Sequence, residues 1–186
     1  TDPGKRFISR KRSIAPNPIQ DVFKHINKRF VELEKTNPEK LKDSSWLKEN
    51  LPFTGELFLG HLRYGTFGGN NIEYCHPFLR QNNWKTRNLV LAGNFNLTNV
   101  DELFGLLLNL GQHPKEKSDT VTVLEKIGHF IDVENQELFE RFKNGTRPNR
   151  EISGLIGDHM NVPRVLKRAS KEFDGGYVMC GLIGHG

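Results

Sequence analysis

Three separated stretches of the sequence carry polar groups that together could bind an amino acid and stabilise its reaction. Arg63 lies in "GHLRYGTFGG", Asn94 in "LVLAGNFNLTNVDEL" and Asp119 in "SDTVTVLE". A guanidinium can bind a carboxylate through two parallel hydrogen bonds, and a carboxylate can bind an ammonium group. An asparagine amide, with the backbone N–H that follows it, can stabilise an oxyanion. The combination predicts a receptor for an α-amino acid beside a site of acyl transfer.

Each of these residues also has an ordinary structural explanation. An arginine on a strand often lays its stem along apolar surface and keeps its charged head in water. An acid in the first turn of a helix, as Asp119 is expected to be, complements the helix macrodipole. Taken singly, the structural explanation is favoured for both Arg63 and Asp119, and only the combination of the three segments points to chemistry.

Two predicted strands flank these residues. A strand that runs into a glycine-rich loop is expected in "GELFLGHLRYGTFGG", residues 55–69. A second strand, suited to burial on both faces, is expected over residues 88–93. It is expected to stop at a Gly93-Asn94 turn, from which backbone and asparagine donors would point at a reacting carbonyl.

Hydrophobic residues recur at helical spacing in several other segments. The predicted helices are residues 18–35 after the N-cap Asn17, a short helix within 36–50, one after the N-cap Asn99 that closes at Gly111, one after the N-cap Ser118, one from about Val133 and one around 162–170. The closing "GGYVMCGLIGHG" predicts an apolar strand of the buried type. Without repeats or a convincing linker, the sequence predicts one α+β domain or the greater part of one.

The composition is that of a soluble globular protein, with 186 residues, of which 35% are hydrophobic and 26% charged. No apolar run is long enough for a membrane helix, and a cytoplasmic protein is expected. The net charge of +5 is local, since residues 1–30 carry a net +6 and the remaining residues a net −1. A basic run near a chain end is more often a solvated arm than a nucleic-acid site.

The cysteines and histidines give no sign of a metal or cofactor site. Cys75 and Cys180 lack the CxxC spacing and are expected to be reduced structural thiols. Six histidines lie at no metal-ligand spacing and are expected to be structural: His61, His76, His113, His129, His159 and His185. No metal and no cofactor are therefore expected.

Four motifs resemble, in order and spacing, the glutaminase domain of class II (N-terminal-nucleophile) glutamine amidotransferases. They are "GHLRYGTFGG", "HPF" from His76, "LVLAGNFNLTNVDEL" and "SDTVTVLE". The likeness is greatest to the amidophosphoribosyltransferase branch of that family. The resemblance implies an α+β fold of stacked antiparallel sheets between helical layers (αββα). Residues 1–186 would be a partial domain that lacks the family's N-terminal strand and its C-terminal continuation.

The resemblance implies a role for each matching residue. Arg63 matches the arginine that binds the glutamine α-carboxylate, with Thr66 in the same loop, and Asp119 matches the acid that binds the α-amino group. Asn94 matches the asparagine of the oxyanion hole. Phe95 stands where the family has a glycine whose N–H completes that hole, and a bulky residue would be strained there if the turn required a positive φ.

The nucleophile of the family is a cysteine at the processed N-terminus, activated by its own α-amine. Residue 1 is Thr, and Pro3-Gly4 is a turn signal where a buried strand would be needed. Cys75 and Cys180 have no α-amine of their own. The chain itself is therefore expected to be inactive, whereas the full-length protein would hydrolyse glutamine through a γ-glutamyl thioester.

The partners implied are glutamine and an acceptor domain outside this chain. Phosphoribosyl pyrophosphate is the favoured acceptor, as in the first committed step of purine synthesis, with asparagine and hexosamine-phosphate synthesis as rivals within the family. Self-association into a homo-oligomer is left open. One alternative is a non-catalytic glutamine-binding or regulatory module, and another is a nucleic-acid-binding domain that uses the basic N-terminal segment.

Overall fold

The chain forms two compact units, Thr1–His76 and Pro77–Gly186, in a computed structural model that describes residues 8–63, 71–143 and 145–184. Thr1 and Thr66 lie outside the described residues. No helix among the described residues is both long and apolar enough to cross a membrane.

Two α-helices, α1 (Pro18–Thr36) and α2 (Ser44–Asn50), form most of the regular structure among the described residues of the first unit. Short 3-10 helices cover Pro38–Lys42 and Ile72–Tyr74. The helix predicted from residue 18 and the short helix within 36–50 are confirmed. The side chain of Asn17 does not cap α1, however, and only its backbone oxygen accepts a hydrogen bond, from the N–H of Asp21 at 3.0 Å.

The strand predicted over residues 55–69 is wrong for the part that the structure describes. Residues 55–63 are irregular and pair with none of the described strands. Leu57, Phe58 and Leu62 are 56%, 73% and 71% exposed. Alternating hydrophobicity stabilises a strand only where a neighbouring strand takes up its backbone groups and a core covers one face, and the segment has neither among the described residues.

The described residues of the second unit form a three-stranded antiparallel sheet and four α-helices. The strands are β1 (Phe78–Arg80), β2 (Leu89–Leu97) and β3 (Gly175–Ile183), in the order β1-β2-β3. The helices are α3 (Val100–Asn109), α4 (Asp119–Phe142), α5 (Asn149–His159) and α6 (Val162–Ala169). Two 3-10 helices cover Lys85–Arg87 and Ser170–Glu172. The α+β class is confirmed, while the described residues form one sheet rather than two.

Helix α4 packs on one face of the sheet and forms the core of the second unit. The buried core residues are Leu89, Leu91, Leu97, Leu103, Val123, Leu124, Ile127, Ile131, Val165 and Ala169. Each large side chain that is fully buried contributes roughly 1.5–3 kcal/mol to folding. A second cluster of Leu138, Ile152 and Ile156 joins α4 to α5. Strand β2 lies at the centre of the sheet, so its position is fixed by β1 and β3 at its two edges and by α4 on one face.

The turn predicted at Gly93-Asn94 is wrong, because β2 continues through it as a strand. Asn94 pairs with Val178 and Phe95 with Tyr177 in the antiparallel register of β2 with β3. A Cβ atom on Gly93 would lie 2.4 Å from the Val178 carbonyl oxygen and 2.8 Å from the Phe95 ring. The glycine is therefore required by the close approach of β3 and of the Phe95 ring, and it does not break the strand.

The helix predicted to begin near Val133 is also wrong, since α4 is a single helix of 24 residues. Residues 131–133, where one predicted helix would end and the next begin, include neither proline nor glycine to interrupt the helix. The predicted N-cap Ser118 is confirmed, with its hydroxyl oxygen accepting from the Val121 N–H at 3.4 Å. Helix α5 had no counterpart among the sequence predictions.

The remaining predicted elements are confirmed with differences in detail. Helix α3 ends where expected, with Gly111 at a φ of 79°. Its N-cap residue Asn99 makes no capping bond with its side chain. Strand β3 forms as predicted, but it is not of the buried type, because Val178 is 67% and Tyr177 41% exposed.

Candidate functional site

The hydrogen-bond pattern of β2 determines where its backbone N–H groups point. Asn88 O accepts from Gly184 N, and Thr98 N donates to Asp174 O, both at 2.9 Å. Pairs that exchange hydrogen bonds alternate along an antiparallel ladder, so the even-numbered residues of β2 bond to β3. The odd-numbered residues turn their N–H groups to the opposite edge, where β1 pairs with Leu89–Leu91.

Asp119 lies at that edge, beyond the end of β1. One of its carboxylate oxygens, Oδ2, accepts a hydrogen bond from the backbone N–H of Leu97 at 3.1 Å. Asp119 is the first residue of α4 and is half-buried. A carboxylate at a helix N-terminus is favoured by the macrodipole, and here it is also fixed to the end of a strand.

Asn94 and Phe95 lie on the same strand, three and two residues before Leu97. Asn94 is exposed, whereas the Phe95 ring packs against the core on the other face of the sheet. Phe95 has no positive φ, so the strain expected for a bulky residue here does not arise. Its N–H points to the same edge as that of Leu97, about 7 Å away along the strand.

Arg63 belongs to the first unit, where its Nη1 atom donates to the Tyr74 carbonyl oxygen at 3.0 Å. Two imidazoles accompany it, with the ring centroids of His61 and His76 4.6 Å apart. Burial lowers the pKa of His76 to about 4, helped by the charges of His61 and Arg63. Burial also lowers the pKa of His61, with Arg63 contributing. Both rings are therefore neutral at neutral pH.

Three of the predicted site residues thus lie in the second unit. Asn94 and Phe95 lie among the last four residues of β2, and Asp119 is the first residue of α4. Arg63 lies in the first unit, and its convergence with the other three remains a prediction, as does the part of Thr66. The pairing of His61 with His76 beside Arg63 was not predicted, because no local pattern links His61 to a residue 15 positions later.

The described residues also include two cysteines, which could be reactive. Cys75 is a half-buried free thiol and Cys180 an exposed one. Within the described ranges, no three His, Cys, Asp or Glu residues are grouped closely enough to hold a metal ion. A cavity in the first unit contains none of the predicted site residues and is lined by Ser9, Arg29, Glu49, Asn50, Leu51 and Pro52.

The end of β2 thus carries a carboxylate bonded to the strand and an exposed amide side chain on one face of the sheet. Comparison with known proteins gives a narrower indication. The chain is 27% identical over 132 residues to the amidophosphoribosyltransferase of Archaeoglobus fulgidus, covering 68% of the chain and 28% of that relative. It is 38% identical over 81 residues to the Bacillus subtilis enzyme of the same name, covering 41% of the chain and 16% of that relative.

A third relative gives the same name over a shorter stretch. The amidophosphoribosyltransferase of Methanocaldococcus jannaschii is 41% identical over 49 residues, which are 26% of the chain and 10% of that enzyme. The matched stretches thus span less than a third of the length of these relatives. No family model matches the chain. No solved structure matches it either. The similarities relate the chain, over partial stretches, to an amidotransferase family.

Proposed function

We propose that this chain is the glutamine-binding part of a class II glutamine amidotransferase domain, of the amidophosphoribosyltransferase kind. The observation that carries the proposal is the hydrogen bond between the Asp119 carboxylate and the Leu97 N–H. It fixes an ammonium-binding group beside the strand that presents Asn94 and Phe95. The similarity to three amidophosphoribosyltransferases supports the same conclusion from the sequence.

The spacing along β2 suits glutamine. With its α-ammonium group on Asp119, a five-carbon amino acid laid along the strand would bring its γ-carbonyl towards Phe95, about 7 Å from Leu97. There the Phe95 N–H and the Asn94 amide would stabilise the oxyanion that forms when a nucleophile attacks the carbonyl. Loss of one such donor typically costs about 10² to 10³ in rate. In the whole protein Arg63 and Thr66 would bind the α-carboxylate.

The proposal assigns binding and oxyanion stabilisation to this chain, and the nucleophile to an N-terminal cysteine of the whole protein. The ammonia released would react with phosphoribosyl pyrophosphate in an acceptor region outside these residues. The proposed fold is the αββα sandwich of N-terminal-nucleophile hydrolases. The exposed Val178, on the sheet face opposite the core, is consistent with a second sheet covering that face in the whole protein.

Calorimetric titration with glutamate, the product of the reaction, tests the binding site. The substitution Asp119→Asn removes the negative charge and is expected to weaken binding by about tenfold or more. Asp101→Asn is the matched control, because Asp101 is an exposed acid in the first turn of α3. Both substitutions remove a favourable charge at a helix N-terminus. Equal affinity of the Asp119→Asn variant and the wild type would contradict the proposal.

A second glutamate titration tests whether Arg63 binds the α-carboxylate. Arg63→Lys retains the charge but cannot form two parallel hydrogen bonds to a carboxylate, so glutamate affinity is expected to fall. A glutaminase assay on the same chain separates binding from turnover. Glutamine hydrolysis that disappears in Arg63→Ala would show that the nucleophile lies within this chain, contrary to the proposal.

A further inference from the structure

Asn99 makes two hydrogen bonds that a helix cap does not need. It occupies the N-cap position of α3, but its Nδ2 atom donates to the Glu172 carbonyl oxygen at 2.8 Å. Its Oδ1 atom accepts from the Asp174 N–H at 3.2 Å. The two bonds use both the donor and the acceptor of the amide. Asn99 therefore joins the start of α3 to the turn that precedes β3.

Other contacts strengthen this joint. Thr98 donates its hydroxyl proton to the Asp174 carboxylate, and its backbone N–H donates to the Asp174 carbonyl oxygen at 2.9 Å. Lys126 of α4, whose side chain is only 5% exposed, pairs with the Glu172 carboxylate. Its ammonium group lies 5.7 Å from the centre of the Phe173 ring. We call the set Thr98, Asn99, Glu172 and Asp174 the β2 clamp.

The two chain segments approach closely where the clamp joins them. Gly175 has a φ of 118°, and a Cβ atom there would lie 2.3 Å from the Asn96 carbonyl oxygen and 2.9 Å from the Leu97 Cα atom. Glycine permits this conformation and this distance. Leu97 is thus held between the clamp on one side and the Asp119 carboxylate on the other.

We propose that Asn99 is a positioning residue for the amino-acid site, acting through Leu97 on the Asp119 carboxylate. This inference rests on the proposed function. If the end of β2 moves, the Leu97 N–H leaves the carboxylate, and the spacing between Asp119 and the Phe95 N–H changes with it. A binding site loses affinity when its groups must be ordered at the moment of binding. Asn99 would thus pre-organise the end of the site that takes the ammonium group.

The substitution Asn99→Ser separates this role from helix capping. Serine is as good an N-cap as asparagine, but its single hydroxyl group cannot bridge residues 172 and 174. Asn109→Ser, at the other end of α3, is the control for an asparagine-to-serine change on an exposed position. The melting temperature of each variant shows whether the fold is retained.

Hydrogen exchange of the Leu97 amide reports on the clamp without ligand. We expect exchange at Leu97 to be faster by about tenfold in Asn99→Ser, with the Leu91 amide in the same strand unchanged. We expect the Kd for glutamate to rise by about tenfold in the same variant and to stay unchanged in Asn109→Ser. Faster exchange at Leu97 together with weaker glutamate binding supports the positioning role.

Two failures are distinguishable. If the wild-type chain binds no glutamate, the proposed function is wrong and the positioning role falls with it. If the wild type binds and Asn99→Ser binds equally well, only the positioning role is wrong, whatever happens to the exchange of Leu97. A second variant, Thr98→Val, removes the hydroxyl bond to Asp174 but keeps the backbone bond, and is expected to show a smaller change of the same sign.

Discussion

The guanidinium of Arg80 lies directly across Gly128 of α4. A Cβ atom on Gly128 would be 2.4 Å from both Cδ and Nε of Arg80. The side chain is not free to give way, because Nε donates to Glu125 at 3.0 Å and Nη2 donates to Asp132 at 2.6 Å. A glycine in the middle of a long helix is thus explained by the ion pairs that join β1 to α4.

Gly128→Ala is expected to destabilise the second unit. Alanine favours a helix by roughly 1 kcal/mol over glycine, but overpacking against a fixed side chain typically costs about 1–3 kcal/mol. Gly105→Ala in α3 is the control, since a Cβ atom there meets nothing within 4 Å. In urea unfolding, Gly105→Ala should raise the free energy of unfolding and Gly128→Ala should lower it. Equal stabilisation by both would show that Arg80 moves freely.

A buried carboxylate joins α4 to α6, and its loss should be costly. Glu134 is 1% exposed, with Oε2 accepting from Arg164 Nε at 2.7 Å and Oε1 from the Asn161 N–H at 3.3 Å. Glu134→Gln should lower the free energy of unfolding by about 1.5–3 kcal/mol, because hydrogen bonds to a charged group are lost.

Glu137→Gln provides the comparison for Glu134→Gln. Glu137 also pairs with Arg164, but its side chain is 45% exposed. An exposed ion pair is worth no more than about 1 kcal/mol. Urea unfolding curves of the two variants, measured side by side, should therefore show the larger loss for Glu134→Gln. A larger loss for Glu137→Gln would contradict the assignment of the buried pair as the main link.

The stability of the first unit should fall as the solution is acidified. The pKa of His76 is about 4 in the folded chain, below its ordinary 6.5, because of burial and then the charges of His61 and Arg63. The unfolded chain therefore takes up the proton first. Stability is full above pH 6.5 and is lost as pH falls from 6.5 towards 4, by up to about 3 kcal/mol. The lowered pKa of His61 acts in the same direction.

His76→Gln should flatten this pH dependence, and His25→Gln, on the exposed surface of α1, should not. Trp46 lies in the first unit, so its fluorescence follows unfolding of that unit in a Trp84→Phe background. Unfolding curves at pH about 7 and about 4.5 give the comparison. An unchanged pH dependence in His76→Gln would show that other groups cause the acid sensitivity.

Glycine illustrates what the sequence could and could not predict. Gly111 ends α3 as expected, because the apolar repeat of the helix stops just before it and the signal is local. Gly93 was expected to end a strand, but β2 continues because β3 pairs with all nine of its residues. That partner lies some 80 residues later in the chain, and no local pattern around Gly93 reveals it.

In the candidate site, too, local features could be predicted from the sequence and tertiary contacts could not. Asp119 was correctly expected in the first turn of a helix, because Ser118 is a strong N-cap signal. Its bond to Leu97 depends on how α4 packs against β2, and the sequence does not show that packing. The strand over residues 55–63 failed for a related reason, since alternating hydrophobicity says nothing about whether a partner strand is present.

The most direct test of the amino-acid site follows the backbone amides of Leu97 and Phe95 by NMR during a glutamate titration. Both amide signals are expected to shift saturably with one Kd, and Asp119→Asn is expected to abolish the shifts while Asp101→Asn preserves them. If glutamate leaves both signals unmoved, or moves them equally in Asp119→Asn, the edge of β2 is not the site where this chain binds an amino acid.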